Sequence, residues 1–173
     1  MRTYAHDMRI VVSGTHASGK STLVSAFADA HPEFTVLPDP FEHIDAAAER
    51  PGAETFAAQL AITARRLLAA DDRPLIAERG PIDFLAYLDA LDVLGRGEYA
   101  RELFDRGVLP TARAMATVDL LVLLPLDYGI RVAREEDPLL RAATDDALRE
   151  LAEDPDVIGD PPVIELVGPL PRR

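Results

Sequence analysis

Residues 9–22 read RIVVSGTHASGKST and contain the strongest structural signal in the sequence. The apolar run at residues 9–13 predicts a short buried strand, and apolar residues recur at helical spacing from Ser21 onward. Between them, residues 14–21 fit the pattern G-x-x-x-x-G-K-[ST]. A strand, a glycine-rich turn and a helix therefore follow one another without a break, which is the local context that this pattern requires.

A turn of this kind binds phosphate through its backbone. Glycines at positions 14 and 19 permit close approach, and the amide groups that follow point toward an anion at a helix N-terminus. Lys20 is the only lysine of the chain, and its thin stem suits a position beneath β- and γ-phosphates better than a guanidinium would. A chance glycine-rich turn is the alternative. We predict that the nucleotide is held by Gly14, Thr15, His16, Ala17, Ser18, Gly19, Lys20, Ser21 and Thr22, with the Ser21 hydroxyl placed for Mg²⁺.

The rest of the chain alternates between short apolar runs and helical patterns. Strands are predicted at residues 9–13, 34–37, 74–77, 118–124 and 163–167. Helices are predicted at residues 21–30, 54–70, 81–94, 98–106 and 138–153, with one further turn or two at 111–116 and a surface loop at 155–162. The alternation predicts an α/β fold with a five-stranded parallel sheet covered by helices on both faces. We expect a single domain over residues 1–173, with tails at 1–7 and 168–173. The helix at 81–94 is expected either to pack in the core or to pair with a second copy, so a homodimer is left open.

Composition narrows the class of function. The formal net charge of −12 argues against a nucleic-acid partner, because phosphate backbones need a basic face. No apolar run is long enough to cross a membrane. There are no cysteines, hence no disulfide framework or thiolate metal site. The N-terminus has no apolar signal region, and a cytoplasmic protein is expected.

Two carboxylates follow predicted strands at the edge of the sheet where ligands of open parallel sheets gather. Asp39 follows the second strand and Glu78 the third, with Arg79 directly after it. A carboxylate can deprotonate an acceptor hydroxyl, another can hold Mg²⁺ or its waters, and an arginine can bind phosphoryl oxygens as a fork. The alternatives are a turn residue for Asp39 and an ion-paired or capping carboxylate for Glu78. Asp119 begins its strand at the opposite edge and is not a candidate.

These features together resemble the nucleoside and deoxynucleoside kinase branch of the P-loop proteins. They are also similar to the AAA-labelled ATPases related to ribosylnicotinamide kinases, most closely in the runs GTHASGKSTL and ERGPIDFLAYLDAL. The motifs that match are Pro38-Asp39-Pro40, Glu78-Arg79-Gly80, and Gln59 followed seven residues later by Arg66. The resemblance implies that Asp39 is the general base and that Gln59 and Arg66 face the acceptor. Asp83 lies one residue from the position where the family carries an aspartate that contacts the nucleobase. Gly80 stands where the family carries a serine.

Residues 129–138 stand where these kinases carry a lid that closes over the phosphates. Arg131 and Arg134 share a face of a helical turn and would stabilise the transferred phosphoryl group. The alternative is an ordinary charged start of the next helix. Arg141 is a weaker candidate for the same role, with the same alternative.

The sequence therefore predicts an ATP- and Mg²⁺-dependent phosphotransferase that acts on a hydroxyl of a nucleoside-like small molecule, or of a drug in the same kind of pocket. Two alternatives stay open. One is a nucleotide-binding switch that hydrolyses ATP slowly. The other is a nucleoside monophosphate kinase, which would bind the acceptor phosphate through arginines such as Arg65, Arg66 and Arg79.

Overall fold

The chain forms one parallel sheet with helices on both faces. The computed structural model describes residues 8–40, 51–70, 73–126 and 137–168. The strands are β1 (Arg9–Gly14), β2 (Thr35–Leu37), β3 (Leu75–Glu78), β4 (Leu120–Leu124) and β5 (Val163–Glu165). The helices are α1 (Lys20–Ala30), α2 (Ala53–Ala69), α3 (Pro81–Val93), α4 (Ala100–Met115), α5 (Pro138–Ala152) and α6 (Pro155–Ile158). The predicted α/β class and the five parallel strands are confirmed.

The sheet has the order β2-β3-β1-β4-β5, and all neighbours are parallel. In this register Val12 lies opposite Glu78 on β3, and Gly14 lies opposite Leu124 on β4. The carboxyl ends of the three central strands therefore meet at one edge. Asp119 lies at the other edge, as expected, where its Oδ2 accepts a hydrogen bond of 2.8 Å from the Arg9 amide.

Two apolar clusters hold the helices to the sheet. On one face, α1 packs on alternate residues of the central strands, including Ile10, Val12 and Ile76. The larger cluster lies on the other face, where Val11, Ala77 and Leu121 meet the remaining helices. Alternate side chains of β1 therefore pack in the clusters on the two faces of the sheet, because successive strand residues point to opposite sides.

Helix α3 lies in the interior, which confirms the expectation that it packs in the core. Ten of its 13 residues are buried, and it packs against α2, α4 and α5. A helix that is apolar all round is expected in a core and not on a surface.

Helix α4 differs from the prediction, which placed a break between residues 106 and 111. The structure has a single helix that continues through Gly107 and Pro110. Its buried residues recur at positions 100, 107, 111 and 114, and this face packs against α2 and α3. Tertiary packing therefore outweighs the helix-breaking tendency of glycine and proline. The predicted loop at 155–162 likewise begins with α6, because the Asp154 side chain accepts a hydrogen bond from the Asp156 amide and caps it.

Within the residues that the structure describes, no helix is both long and apolar enough to cross a membrane.

Candidate active site

The loop between β1 and α1 has a backbone that tolerates little change. A Cβ on Gly14 would lie 2.7 Å from the Leu124 carbonyl oxygen and 2.7 Å from Ser18 Oγ. Gly19, the N-cap of α1, has a φ of 94°, a left-handed conformation that glycine adopts without strain. Ala17 is also left-handed, with a φ of 55°. The residues at the start of α1 line a cavity, and a helix N-terminus is a common position for binding an anion.

Lys20 lies folded against this loop. Its Nζ donates hydrogen bonds to the Thr15 carbonyl oxygen at 2.6 Å and to Ser18 Oγ at 3.3 Å, and the residue is 4% exposed. Burial, followed by the nearby positive charge of Arg79, lowers the pKa of Lys20 to about 7, although nearby carboxylates act in the opposite direction. An anion bound in the loop would favour the charged ammonium again.

Ser21 and Glu78 meet across the cavity. Ser21 Oγ, in the first turn of α1, donates a hydrogen bond of 2.5 Å to Glu78 Oε1 at the end of β3. A hydroxyl and a carboxylate are hard oxygen ligands of the kind that Mg²⁺ accepts, with water and phosphate oxygens completing an octahedron. The described ranges hold no cluster of three or more His, Cys, Asp or Glu that would form an all-protein metal site. The donor set therefore fits a metal shared with a nucleotide.

Arg79 is the most constrained side chain of the site. It follows β3 with a φ of 70°, an unusual conformation for a residue other than glycine. Its Nε donates to Asp39 Oδ2 at 2.6 Å, and its Nη1 donates to the Gly14 carbonyl oxygen at 3.1 Å. The guanidinium also lies 5.7 Å from the ring centre of Tyr87. Arg79 therefore ties the phosphate loop to the carboxylate that follows β2.

A cavity of about 440 Å³ lies in front of these groups. Its lining joins the phosphate loop to the residues after β2 and β3: His16, Ala17, Ser18, Gly19, Lys20, Ser21, Thr22, Asp39, Glu78 and Arg79. Asp39 is 7% exposed, and so is Glu78. The sheet therefore brings the predicted nucleotide loop, base candidate and metal candidates to one cavity.

Asp83, expected near the acceptor, lies in the first turn of α3 and is 1% exposed. Both of its carboxylate oxygens accept hydrogen bonds from protein groups. The structure places it behind the loop rather than on the wall of the 440 Å³ cavity. Gly80, where the family carries serine, has little room for a side chain, since a Cβ would lie 2.9 Å from Val11 Cγ1.

The two candidates on α2 lie beside the site without lining the large cavity. Arg66 Nη1 donates to the Pro38 carbonyl oxygen at 2.8 Å, so α2 supports the segment that carries Asp39. Gln59 is 7% exposed, and within the described part of the chain its Oε1 is buried without a hydrogen-bond partner. A buried amide oxygen without a donor is costly, and this oxygen keeps its capacity to accept a hydrogen bond.

Arg131 and Arg134 fall in residues 127–136, outside the described residues. Arg141, which the sequence supported less, reaches the loop from α5 and donates through Nε to the His16 carbonyl oxygen at 3.1 Å. The residue is 9% exposed. The sequence position of Arg141 is unusual, because a cation in the first turns of a helix is repelled by the helix dipole. This position favours a side chain that binds an acceptor outside its own helix.

Comparison with known proteins agrees with this fold. The sequence profile of the AAA domain family matches residues 9–173. A search among curated proteins found no match. Among solved structures, deoxyadenosine kinase from M. mycoides superimposes with a TM-score of 0.67 at 13% identity, covering 92% of this chain and 90% of that one.

Two further solved structures have the same fold. Thymidylate kinase from Candida albicans gives a TM-score of 0.64 at 16% identity and covers 94% of this chain and 85% of its own. NadR, solved with NAD and AMP-PNP, gives 0.64 at 17% identity and covers 94% of this chain but 45% of its own. At these identities the likeness concerns the fold, which is that of P-loop nucleoside and nucleotide kinases. Since the family profile spans nearly all of the sequence, the chain belongs to the AAA domain family of P-loop proteins.

Proposed function

We propose that this protein is an ATP-dependent kinase that transfers the γ-phosphoryl group to a hydroxyl of a neutral, nucleoside-like small molecule. The observation that carries the proposal is the position of Asp39. Its carboxylate is held by Arg79 at 2.6 Å on the wall of the cavity that the phosphate loop also lines. A carboxylate at this place can take the proton of an acceptor hydroxyl, a step that nucleotide binding alone does not include.

In this proposal the loop holds the donor. The backbone amides at the start of α1 bind the phosphates, and Lys20 leaves the Thr15 carbonyl oxygen to neutralise β- and γ-phosphate charge. Ser21 and Glu78 would hold Mg²⁺, which supplies further charge neutralisation between the phosphates. Arg131 and Arg134 are proposed to stabilise the transferred group from the lid.

Asp39 is proposed as the general base. It accepts the proton of the acceptor hydroxyl as that oxygen forms a bond to the γ-phosphorus. The bond between the γ-phosphorus and the bridging oxygen breaks, ADP leaves with that oxygen, and the proton passes from Asp39 to solvent. The Arg79 hydrogen bond fixes the orientation of the carboxylate, which matters because phosphoryl transfer depends largely on positioning.

The hydrogen bonds that already engage the arginines near Asp39 favour a neutral acceptor over a phosphorylated one. Arg79 directs Nε to Asp39 and Nη1 to Gly14 and Asp83, and Arg66 donates to the Pro38 carbonyl oxygen. A monophosphate acceptor would compete for guanidinium groups that already bind the protein. Gln59 is proposed to recognise the acceptor, because an amide offers a donor and an acceptor in one plane.

The test is ATP-dependent phosphorylation of a panel of nucleosides, nucleoside monophosphates, nicotinamide riboside and hydroxylated antibiotics, read by mass spectrometry. Asp39→Asn should lower the rate by about 10²- to 10⁴-fold, the usual contribution of a general base. Asp119→Asn is the matched control, since Asp119 accepts a hydrogen bond at the opposite edge of the sheet. Its rate should equal that of the unmodified protein.

Slow ATP hydrolysis without any phosphorylated product, abolished by Lys20→Ala, would favour the nucleotide switch instead. Phosphorylation of monophosphates alone would favour the monophosphate kinase.

A further inference from the structure

Asp83 has all of its hydrogen-bonding capacity taken up by the protein. Its Oδ2 accepts from Ser13 Oγ at 2.6 Å and from the Gly80 amide at 2.9 Å. Its Oδ1 accepts from the Gly14 amide at 3.0 Å and from Arg79 Nη1 at 3.4 Å. A carboxylate has about four lone-pair positions, so these four donors occupy them all.

The burial of this charge requires such partners. Asp83 is 1% exposed, and an isolated carboxylate at that depth would be strongly unfavourable. Hydrogen bonds from amides and hydroxyls to a charged acceptor are stronger than those between neutral groups. The contact between Asp83 and Gly14 is therefore a firm attachment of α3 to the first residue of the phosphate loop.

Gly14 is held on both sides. Asp83 accepts from its amide, and Arg79 Nη1 donates to its carbonyl oxygen at 3.1 Å. Arg79 in turn donates through Nε to Asp39 at 2.6 Å. Asp83, Arg79 and Asp39 thus form a chain of contacts from the start of the loop to the carboxylate proposed as the base.

We propose that Asp83 is a positioning residue. It fixes the phosphate loop at Gly14 and, through Arg79, sets the separation between the loop and Asp39. The part that concerns Asp39 rests on the proposed function, whereas the part that concerns the loop does not. The competing role is the one that family resemblance implies, in which Asp83 contacts the acceptor.

Asp83→Asn separates the two roles. The substitution keeps the shape of the side chain but removes its charge, and its NH₂ group cannot accept hydrogen bonds, so at least one of the four contacts is lost and the remaining ones lose their charged acceptor. Calorimetry then measures ADP binding with Mg²⁺ and no acceptor. The positioning role predicts binding about tenfold weaker, because the Gly14 amide at the start of the loop loses its charged acceptor. The acceptor-contact role predicts unchanged ADP binding and a raised KM for the acceptor.

Asp89→Asn is the matched control on the same helix. Asp89 lies 3.9 Å from Arg101, away from the loop, and its substitution should leave ADP affinity unchanged. A purely structural role for Asp83 would lower the urea midpoint of Asp83→Asn while the folded protein kept its ADP affinity. That result would overturn the proposal.

Ser13→Ala is a second, milder probe, which removes one donor to Asp83 and leaves the charge in place. We expect ADP binding about threefold weaker, since one hydrogen bond is lost. The effects of the two substitutions should not add, because both act through the same contact. Unchanged ADP affinity in Ser13→Ala would contradict the proposal, even if Asp83→Asn failed to fold. The ADP-binding and urea measurements do not require turnover, so a negative phosphorylation assay would reject the kinase proposal alone.

Discussion

Nucleotide binding should take up a proton above pH 7, and Lys20 should be the group that binds it. Its Nζ donates to the Thr15 carbonyl oxygen and to Ser18 Oγ. Burial, then the charge of Arg79, lowers the pKa to about 7. Phosphate in the loop supplies the opposite charge and favours the protonated form. Binding and protonation of Lys20 are therefore coupled.

The extent of proton uptake follows from the lowered pKa of Lys20. With a pKa of about 7, about 3% of Lys20 carries a proton at pH 8.5 in the free protein. If the bound form is fully protonated, binding at this pH takes up nearly one proton per nucleotide. Affinity should then fall by about tenfold for each pH unit above 7.5, since one bound proton corresponds to 1.36 kcal/mol per unit.

Calorimetry in buffers of different ionisation enthalpy measures the uptake directly. At pH 8.5 the observed enthalpy should vary with the buffer with a slope close to one proton, and at pH 7, where about half of Lys20 is already protonated, this slope should fall to about half. A terminal phosphate has its second pKa near about 6 and contributes little at pH 8.5. An enthalpy independent of buffer at pH 8.5, with a Kd independent of pH, would refute the reasoning.

The same shift predicts how stability depends on pH without ligand. The pKa of Lys20 is lower in the folded state than its ordinary 10.5, so between about pH 7 and pH 10.5 the unfolded state binds more protons. The free energy of unfolding therefore gains from Lys20 as pH rises through this window, by up to about 1.4 kcal/mol per unit. Urea titrations at pH 7.5 and 9.5 should show a steeper rise in the unmodified protein than in Lys20→Met. Equal slopes would argue against a depressed pKa.

Three further predictions concern backbone space and the metal. Gly14→Ala should abolish ADP binding and cost about 1–3 kcal/mol in a urea titration, because the added Cβ lies 2.7 Å from a backbone oxygen, whereas Gly52→Ala, with nothing within 4 Å, should bind ADP normally. Gly80→Ser should destabilise by a similar amount, about 1–3 kcal/mol, through the β1 contact at 2.9 Å, and an unchanged urea midpoint would contradict this. Glu78→Gln should raise the Mg²⁺ concentration for half-maximal activity by about tenfold, and an unaltered Mg²⁺ titration would exclude Glu78 from metal binding.

The fold could be predicted wherever its signal is local. The strand, turn and helix around Gly14 are encoded in consecutive residues, and the boundaries of β1 and α1 differ from the prediction by one residue. Helix α4 could not be predicted whole, because Gly107 and Pro110 disfavour a helix locally. What favours it is packing against α2 and α3. The order of the strands is also not encoded in any short segment.

The candidate site shows the same division. The sequence placed Asp39 and Glu78 at strand ends because parallel strands share an edge, but it gave no sign that Arg79 binds Asp39, 40 residues away. The attachment of Asp83 to Gly14 spans 69 residues, and that of Arg141 to His16 spans 125. Contacts of this kind depend on the completed fold, so the sequence named these residues without the groups that they bind.

The fate of the γ-phosphoryl group tests the central claim most directly. The protein would be incubated with ATP labelled in the γ-phosphate, Mg²⁺ and neutral nucleoside acceptors, and the label in phosphorylated acceptor would be compared with the label in inorganic phosphate. A kinase that uses Asp39 as its base should place most of the label in the acceptor, and Asp39→Asn should remove that product. Label that appears only in inorganic phosphate, at the same rate in both proteins, would contradict the account.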